Sequence, residues 1–384
     1  MGALLLRRGR PVVDGAVHPS VDVLVDAGRV VAAGSVAPSS TVDLDGRLLV
    51  PAFVNAHDVL DAASLPPVGR GGHASVYEWS REAEAASAEL APALAVPLAD
   101  RLFLGGLRNL LSGVASVLHH HPDHRSLSRD DFPVRVQRRY GFAHSPGLTP
   151  RLRAAYRTTD RRIPWLVRAA EGRDAALRGE LDALAAANVL RQNTVIARGT
   201  ALEAVDGPRI AAAKACLAWC PEADLRQYGR TPPVRALLEA GVRVGLGTDG
   251  AAAGARDLLS TVAAARAAGP FDDAALLRLA TGGSAEVARM PLGGFAPGEP
   301  ADFVATEALD RLLSGDRRAV ALVVVRGEAA FGEPALLASC APSSPLRVDG
   351  EDRAIGAAAG RRLAAVARRH PAVRRAAWLA AVAL

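Results

Sequence analysis

Lysine is all but missing from this chain. Lys214 is the single one in 384 residues, so the 46 cationic side chains are arginine almost throughout. Against 40 carboxylates they leave a net charge of +6. Basicity of this kind suits nucleic acid or anionic surfaces. These arginines, however, are spread along the chain rather than gathered into a stripe, and aromatics make up only 4% of it. Nucleic-acid binding is therefore not the expectation. Cysteine is scarce as well. Cys216, Cys220 and Cys340 form an odd set without zinc-ribbon spacing, which excludes a disulfide framework and makes a reducing cytoplasm the expected compartment. No apolar run is long enough to span a membrane. Residues Met1–Arg10 place apolar residues before arginines, the reverse of a secretory signal, and read as a first strand.

What is present is an apolar chain, 50% hydrophobic, of a length that favours one large domain plus a smaller one. Residues 1–50 carry short alternating runs, Val21–Val25, Val30–Ala33 and Val42–Leu44, broken by Gly, Pro and Ser. They predict small antiparallel strands. The same texture returns at Ala301–Thr306 and Ala319–Val325. Between them, strand-like runs alternate with Ala/Leu-rich helical stretches. The runs are Leu48–Asn55, Val114–His119, Val134–Gln137, Pro164–Val167, Thr194–Ala197, Ala215–Trp219 and Val242–Gly247. Such alternation predicts a parallel sheet, open or closed into a barrel. Seven strands are readable, and none is evident between Tyr140 and Ile163. The expected division is a β-sandwich from 1–50 plus 296–345, a barrel over 51–295, and a helical extension over 346–384 broken at Pro371.

Three polar groups sit just past strand-like runs. They are Asn55-Ala56-His57-Asp58-Val59, Arg168-Ala169-Ala170-Glu171 and Gly247-Thr248-Asp249. In a (β/α)8 barrel the C-terminal strand ends surround the active site, which brings His57, Arg168, Glu171, Arg198 and Asp249 toward one pocket. The stretches Pro51–Val59, Gly113–Val117, Arg168–Glu171, Thr194–Gly199, Cys220–Asp224 and Gly247–Asp249 also resemble, in order, the motifs of the amidohydrolase superfamily. The branch is that of cytosine deaminases and triazine hydrolases. The resemblance covers residues 1–345. It implies a (β/α)8 TIM-like barrel with a small β-sandwich made from both chain ends, and an ancestry in C–N bond hydrolysis or deamination.

That family's metal is held by two histidines of strand 1, one each of strands 5 and 6, and the aspartate of strand 8. His57 and Asp249 match. The other three positions hold Val59, Arg168 and Arg198. Valine has no lone pair, and guanidinium is a protonated donor only. Two ligands fall short of the three usual at a catalytic zinc, so no metal cofactor is expected. Two guanidinium groups carry the same formal charge as a divalent ion and would keep Asp249 and Glu171 compensated. They cannot acidify a water as a metal does.

The residues keep alternative roles at this point. His57 is a general base or an orphaned ligand held by Asp249. Glu171 matches the family's proton-shuttling glutamate or is an ion-pair partner. Arg168 and Arg198 clamp a substrate anion or lock the empty metal seat. Of His119, His120, His121 and His124, successive residues leaving a strand point in alternating directions, so one pocket member, His120 or His121, is expected. Trp219 and Tyr228 line a substrate pocket or pack in the core. Three functions compete. One is a metal-independent enzyme acting on a small polar or anionic molecule through Glu171, His57 and Asp249, with Arg168, Arg198, His120, His121 and Trp219 binding substrate. Another is a non-catalytic binding or partner subunit. The last is a metal-dependent hydrolase with a shifted zinc or iron site. The expected partner is a small molecule rather than nucleic acid or membrane, with a homodimer left open.

Overall fold

The computed structural model describes residues 2–383. Eight parallel strand segments form the centre: β1 (Phe53–Asp58), β2 (Val114–His119), β3 (Arg135–Val136), β4 (Gly141–Ala143), β5 (Trp165–Ala169), β6 (Thr194–Arg198), β7 (Cys216–Trp219) and β8 (Arg243–Leu246). β1 to β3 make one parallel ladder and β4 to β8 another. The two meet where the Thr248 and Asp249 N–H groups donate to the His57 carbonyl at 2.9 and 3.1 Å. The result is a (β/α)8-type barrel. Its strands are buried on both faces, which is why they read as continuous apolar runs rather than alternating ones.

The strand that the sequence left unread is Gly141–Ala143. Only residues 137–140 separate β3 from β4, whereas a crossover helix between parallel strands needs a dozen or more residues. β3 and β4 therefore follow one another with no helix between them. β3 pairs with β2, and β4 with β5. Three residues with a glycine in front carry too little periodicity to be recognised.

The smaller sheet joins both chain ends. Leu4–Val13 pairs antiparallel with Val21–Asp26 and parallel with Ser40–Asp43 and Leu48–Pro51. Leu48–Pro51 then pairs with Phe303–Thr306, which continues to Leu322–Val325 and Glu328–Gly332. The run expected as one strand over Leu48–Asn55 is thus two. Its first half belongs to this sheet and its second to the barrel. The expected helical extension over 346–384 also needs correction. Ser343–Val348, Glu351–Gly356 and Val382–Ala383 extend the sheet, and the helix begins only at Ala357. The alternation Leu346, Val348 buried against Arg347 exposed is a half-buried strand pattern. Among the described residues no single helix is long and apolar enough to cross a membrane.

Residues 59–97 cover the C-terminal mouth of the barrel. Ser75 caps the helix Val76–Ala85 by accepting from Glu78 N–H. That helix is pinned by the Val76 N–H to the Glu171 carbonyl at 2.9 Å, and its lead-in by the His73 N–H to the Gln227 carbonyl at 2.9 Å. From the far end of the chain, the Trp378 indole N–H donates to the Ala63 carbonyl at 2.8 Å.

Candidate functional site

Strand ends β1, β5, β6 and β8 deliver His57, Arg168, Arg198 and Asp249 to one place. Asp249 and Arg198 leave their strands with φ of +54° and +73°, a conformation that costs non-glycine residues about 1 kcal/mol or more each. The turn aims both side chains inward. Arg168 Nη1 lies 3.0 Å from Glu171 Oε1 and 3.0 Å from Asp249 Oδ2, and its Nη2 reaches Asp249 Oδ1. Arg198 Nη1 donates to Asp249 Oδ2 at 2.9 Å and lies 3.1 Å from Glu171 Oε1. Its Nε donates to Asp224 Oδ1 at 2.6 Å, and Nη1 also meets the Gln227 amide oxygen. Tyr228 places its ring 4.9 Å from the Arg198 guanidinium and donates its hydroxyl to Glu171 Oε1 at 2.9 Å. Glu171, Arg198 and Asp224 are fully buried, and only Arg168, at 14%, reaches solvent appreciably.

The charges balance through their environment. Burial alone would raise the Asp249 carboxyl, but the Arg168 and Arg198 guanidinium groups hold it well below the usual range. Burial pushes Asp224 up to about 7, with Arg198 pulling the other way. Two permanent cations thus face a firmly ionised Asp249, with Asp224 exchanging its proton near neutrality.

His57 is fully buried and neutral, its pKa driven to about 3 by burial. The His120 Nε2 lies 3.0 Å from the Ala143 carbonyl, which can only accept. His120 Nδ1 is therefore the acceptor for His57 Nε2–H at 2.6 Å. This tautomer assignment follows from the network. It leaves one His57 lone pair, on Nδ1, facing the Cys220 thiol at 3.8 Å. Burial keeps that thiol protonated.

The chain matches the amidohydrolase family model over residues 166–330. The fold superposes on an adenosine deaminase from Xanthomonas campestris with bound zinc at a TM-score of 0.73, covering 97% of this chain and 98% of that one at 18% identity. It also superposes on the atrazine chlorohydrolase from Arthrobacter aurescens TC1 complexed with zinc, at a TM-score of 0.67, covering 85% and 95% at 20% identity. This chain carries an amidohydrolase-family domain over residues 166–330. In sequence it is 32% identical over 129 residues to a 5-methylthioadenosine/S-adenosylhomocysteine deaminase of Haloquadratum walsbyi. That match spans 31% of this chain and 29% of the relative's length. At these identities the solved structures establish the fold alone.

Within the barrel, His57, Arg168, Glu171, Arg198, His120 and Asp249 come together. Two sequence candidates do not. Trp219 points away from the barrel interior, packs against Phe271 at 5.7 Å and donates its indole N–H to Thr231. Strand alternation explains it, since Cys216 and Ala218 take the inner face. His121 turns outward onto Asp61, 2.9 Å away. Three participants were not singled out from the sequence, Asp224, Gln227 and Cys220. Asp224 and Cys220 lie in the quoted Cys220–Asp224 stretch, and Gln227 one turn further along the helix Pro221–Tyr228. Val59 packs among Ala62, Val68, Leu90 and Ala252.

Beside the site, burial lowers the pKa of His119 to about 4. The folded value lies below the unfolded one, near 6.5, so its stabilisation is complete above pH 6.5 and is lost as pH falls toward 4. Each unit in that window costs about 1.4 kcal/mol. His119→Gln keeps an acceptor for the Leu60 N–H, which now meets His119 Nδ1 at 3.3 Å. Urea unfolding at pH 7 and pH 5 will show the parent losing about 2 kcal/mol more than the variant. Equal losses would refute the assignment.

Proposed function

We propose that this chain is a metal-free amidohydrolase relative that works as a non-catalytic binding or partner subunit on a C–N hydrolase scaffold. One observation carries the reading. Both Asp249 oxygens are taken by Arg168 and Arg198, while Glu171, His57 and Arg198 have no solvent access.

The residues present do not fit the zinc found in the solved relatives. Two guanidinium groups stand within 3.1 Å of the two carboxylates at the centre. They would repel a cation and cannot ligate one. His57 offers a single lone pair, turned to Cys220. No metal-assisted step is therefore derived. Without a coordinated water, hydrolysis at the family's usual position has no activated nucleophile. The surviving glutamate and histidine are engaged as structural partners, and the retained ionic centre keeps buried carboxylates compensated.

The metal-independent enzyme remains the second reading, on one observation. Arg198 Nη2 is buried and has no hydrogen-bond partner among the described residues. A donor in that state can serve a small anion or carbonyl.

Elemental analysis and deaminase assays test the proposal together. The expected result is only a small fraction of one zinc or iron ion per chain, a melting temperature unmoved by chelator, and no ammonia from 5-methylthioadenosine or adenosine. Stoichiometric metal touching His57 and Asp249 would overturn it. Turnover in metal-free protein that disappears in Arg168→Ala and Glu171→Gln would establish the second reading instead.

A further inference from the structure

The basic residues that look scattered in the sequence converge on the N-terminal face of the barrel, opposite the centre described above. Arg161 and Arg162 lead into β5, Arg191 into β6 and Lys214 into β7, while Arg243 opens β8. Arg139 lies just ahead of β4. Arg289, which ends the helix Ser284–Ala288, completes the arc. Their proximity is fixed by main-chain carbonyls. Arg289 donates to the Arg161 carbonyl at 3.1 Å and to the Gln192 carbonyl at 2.7 Å. Arg243 reaches the same Gln192 carbonyl at 3.3 Å and the Lys214 carbonyl. Ladder register sets β5 to β8 at a common level, with Trp165 beside Thr194 and Cys216 beside Arg243.

Among the described residues, the only carboxylates in ion-pair contact with these seven cations are Asp160, on Arg162, and Glu286, on Arg243. The surplus almost equals the net charge of the whole chain, +6. The crowding is felt locally, since burial and then neighbouring Arg243 lower the Arg289 pKa. Arg139, Arg161, Arg162, Arg191 and Lys214 are exposed. Of the nearby aromatic residues Tyr156 and Trp165 are buried and Tyr140 and Phe142 half-buried, so the arc offers single-stranded bases no exposed ring to stack on.

We infer that this arc is a docking face for an anionic phospholipid surface. Level strand ends present their cations to a plane rather than to a groove. Guanidinium groups match phosphate in geometry as well as charge. Association is electrostatic and peripheral, without an inserted segment, and it stands apart from the reading of the barrel centre.

Sedimentation of the full chain with vesicles tests it. The expected result is binding to vesicles containing one third phosphatidylserine, none to pure phosphatidylcholine, and release by high salt. Replacing both Arg161 and Arg191 with glutamine lowers the partition coefficient about 25-fold, roughly fivefold for each charge near the surface. Arg374→Gln with Arg375→Gln removes equal charge from the exposed segment Pro371–Arg375, off the arc, and leaves binding unchanged. Equal losses in the two double variants would reduce the effect to general basicity and overturn the inference. So would failure to bind acidic vesicles, or salt-sensitive capture of duplex nucleic acid in preference to them. Unchanged melting temperatures exclude unfolding as the cause.

Discussion

Arg198→Met unfolds with a free energy lower by about 3–5 kcal/mol at pH 7.5, among the largest losses expected of any single exchange in this chain. Methionine fills much of the volume and packs under Tyr228, so cavity formation is minor. The cost is electrostatic. Asp249 and Glu171 would share Arg168 alone, and Asp224 would lose the donor at 2.6 Å. Adding Glu171→Gln removes the uncompensated charge and returns part of the loss, which a plain packing defect would not do. The two changes therefore couple. Urea unfolding of both single variants and the double variant measures that coupling. A loss under about 1 kcal/mol for Arg198→Met would mean the cluster is not holding the barrel mouth together.

The triple variant Val59→His, Arg168→His, Arg198→His takes up zinc where the parent does not. The backbone that would present the ligands is already bent for it. Arg198 and Asp249 keep left-handed φ angles at the strand ends, and His57 is in place. Removing the guanidinium groups frees both Asp249 oxygens, and His57 can exchange its hydrogen bond with His120 for a metal bond. Without metal the variant is weaker than the parent, having two fewer cations beside three buried carboxylates. With free zinc a hundredfold above its Kd, binding restores about 2.7 kcal/mol. Equilibrium dialysis and a zinc-dependent melting temperature check the outcome. A folded variant that retains no more zinc than the parent would show that the seat itself, and not just its ligands, has been lost.

How far the sequence could be read followed the length of each signal. The strand Val114–His119 was legible to the residue, because it is long and, Ser116 apart, apolar up to its last residue. Gly141–Ala143 was not, since three residues give no period to detect. The strands Ser343–Val348 and Glu351–Gly356 carry charges on their open face and sit beside a helical tail, so their half-buried alternation was overlooked. At the site, motif order located His57, Arg168, Arg198, Glu171 and Asp249. It could not say that Arg198 would be drawn toward Asp224 and Gln227, which depends on how the helix Pro221–Tyr228 tilts over β6. Trp219 was misplaced because a residue type that suits a pocket also suits a core, and only the strand's facing decides between them. The arc of cations was invisible for a similar reason. Residues spread over 139–289 become neighbours only once parallel strands start level.

The bond from Trp378 to Ala63 joins residues 315 positions apart. During synthesis the first barrel loop emerges 315 residues ahead of this anchor for it. A nascent chain therefore carries an unfinished cover over its ionic centre until Trp378 has emerged, and chains released before that point should be the ones that chaperones hold and proteases find.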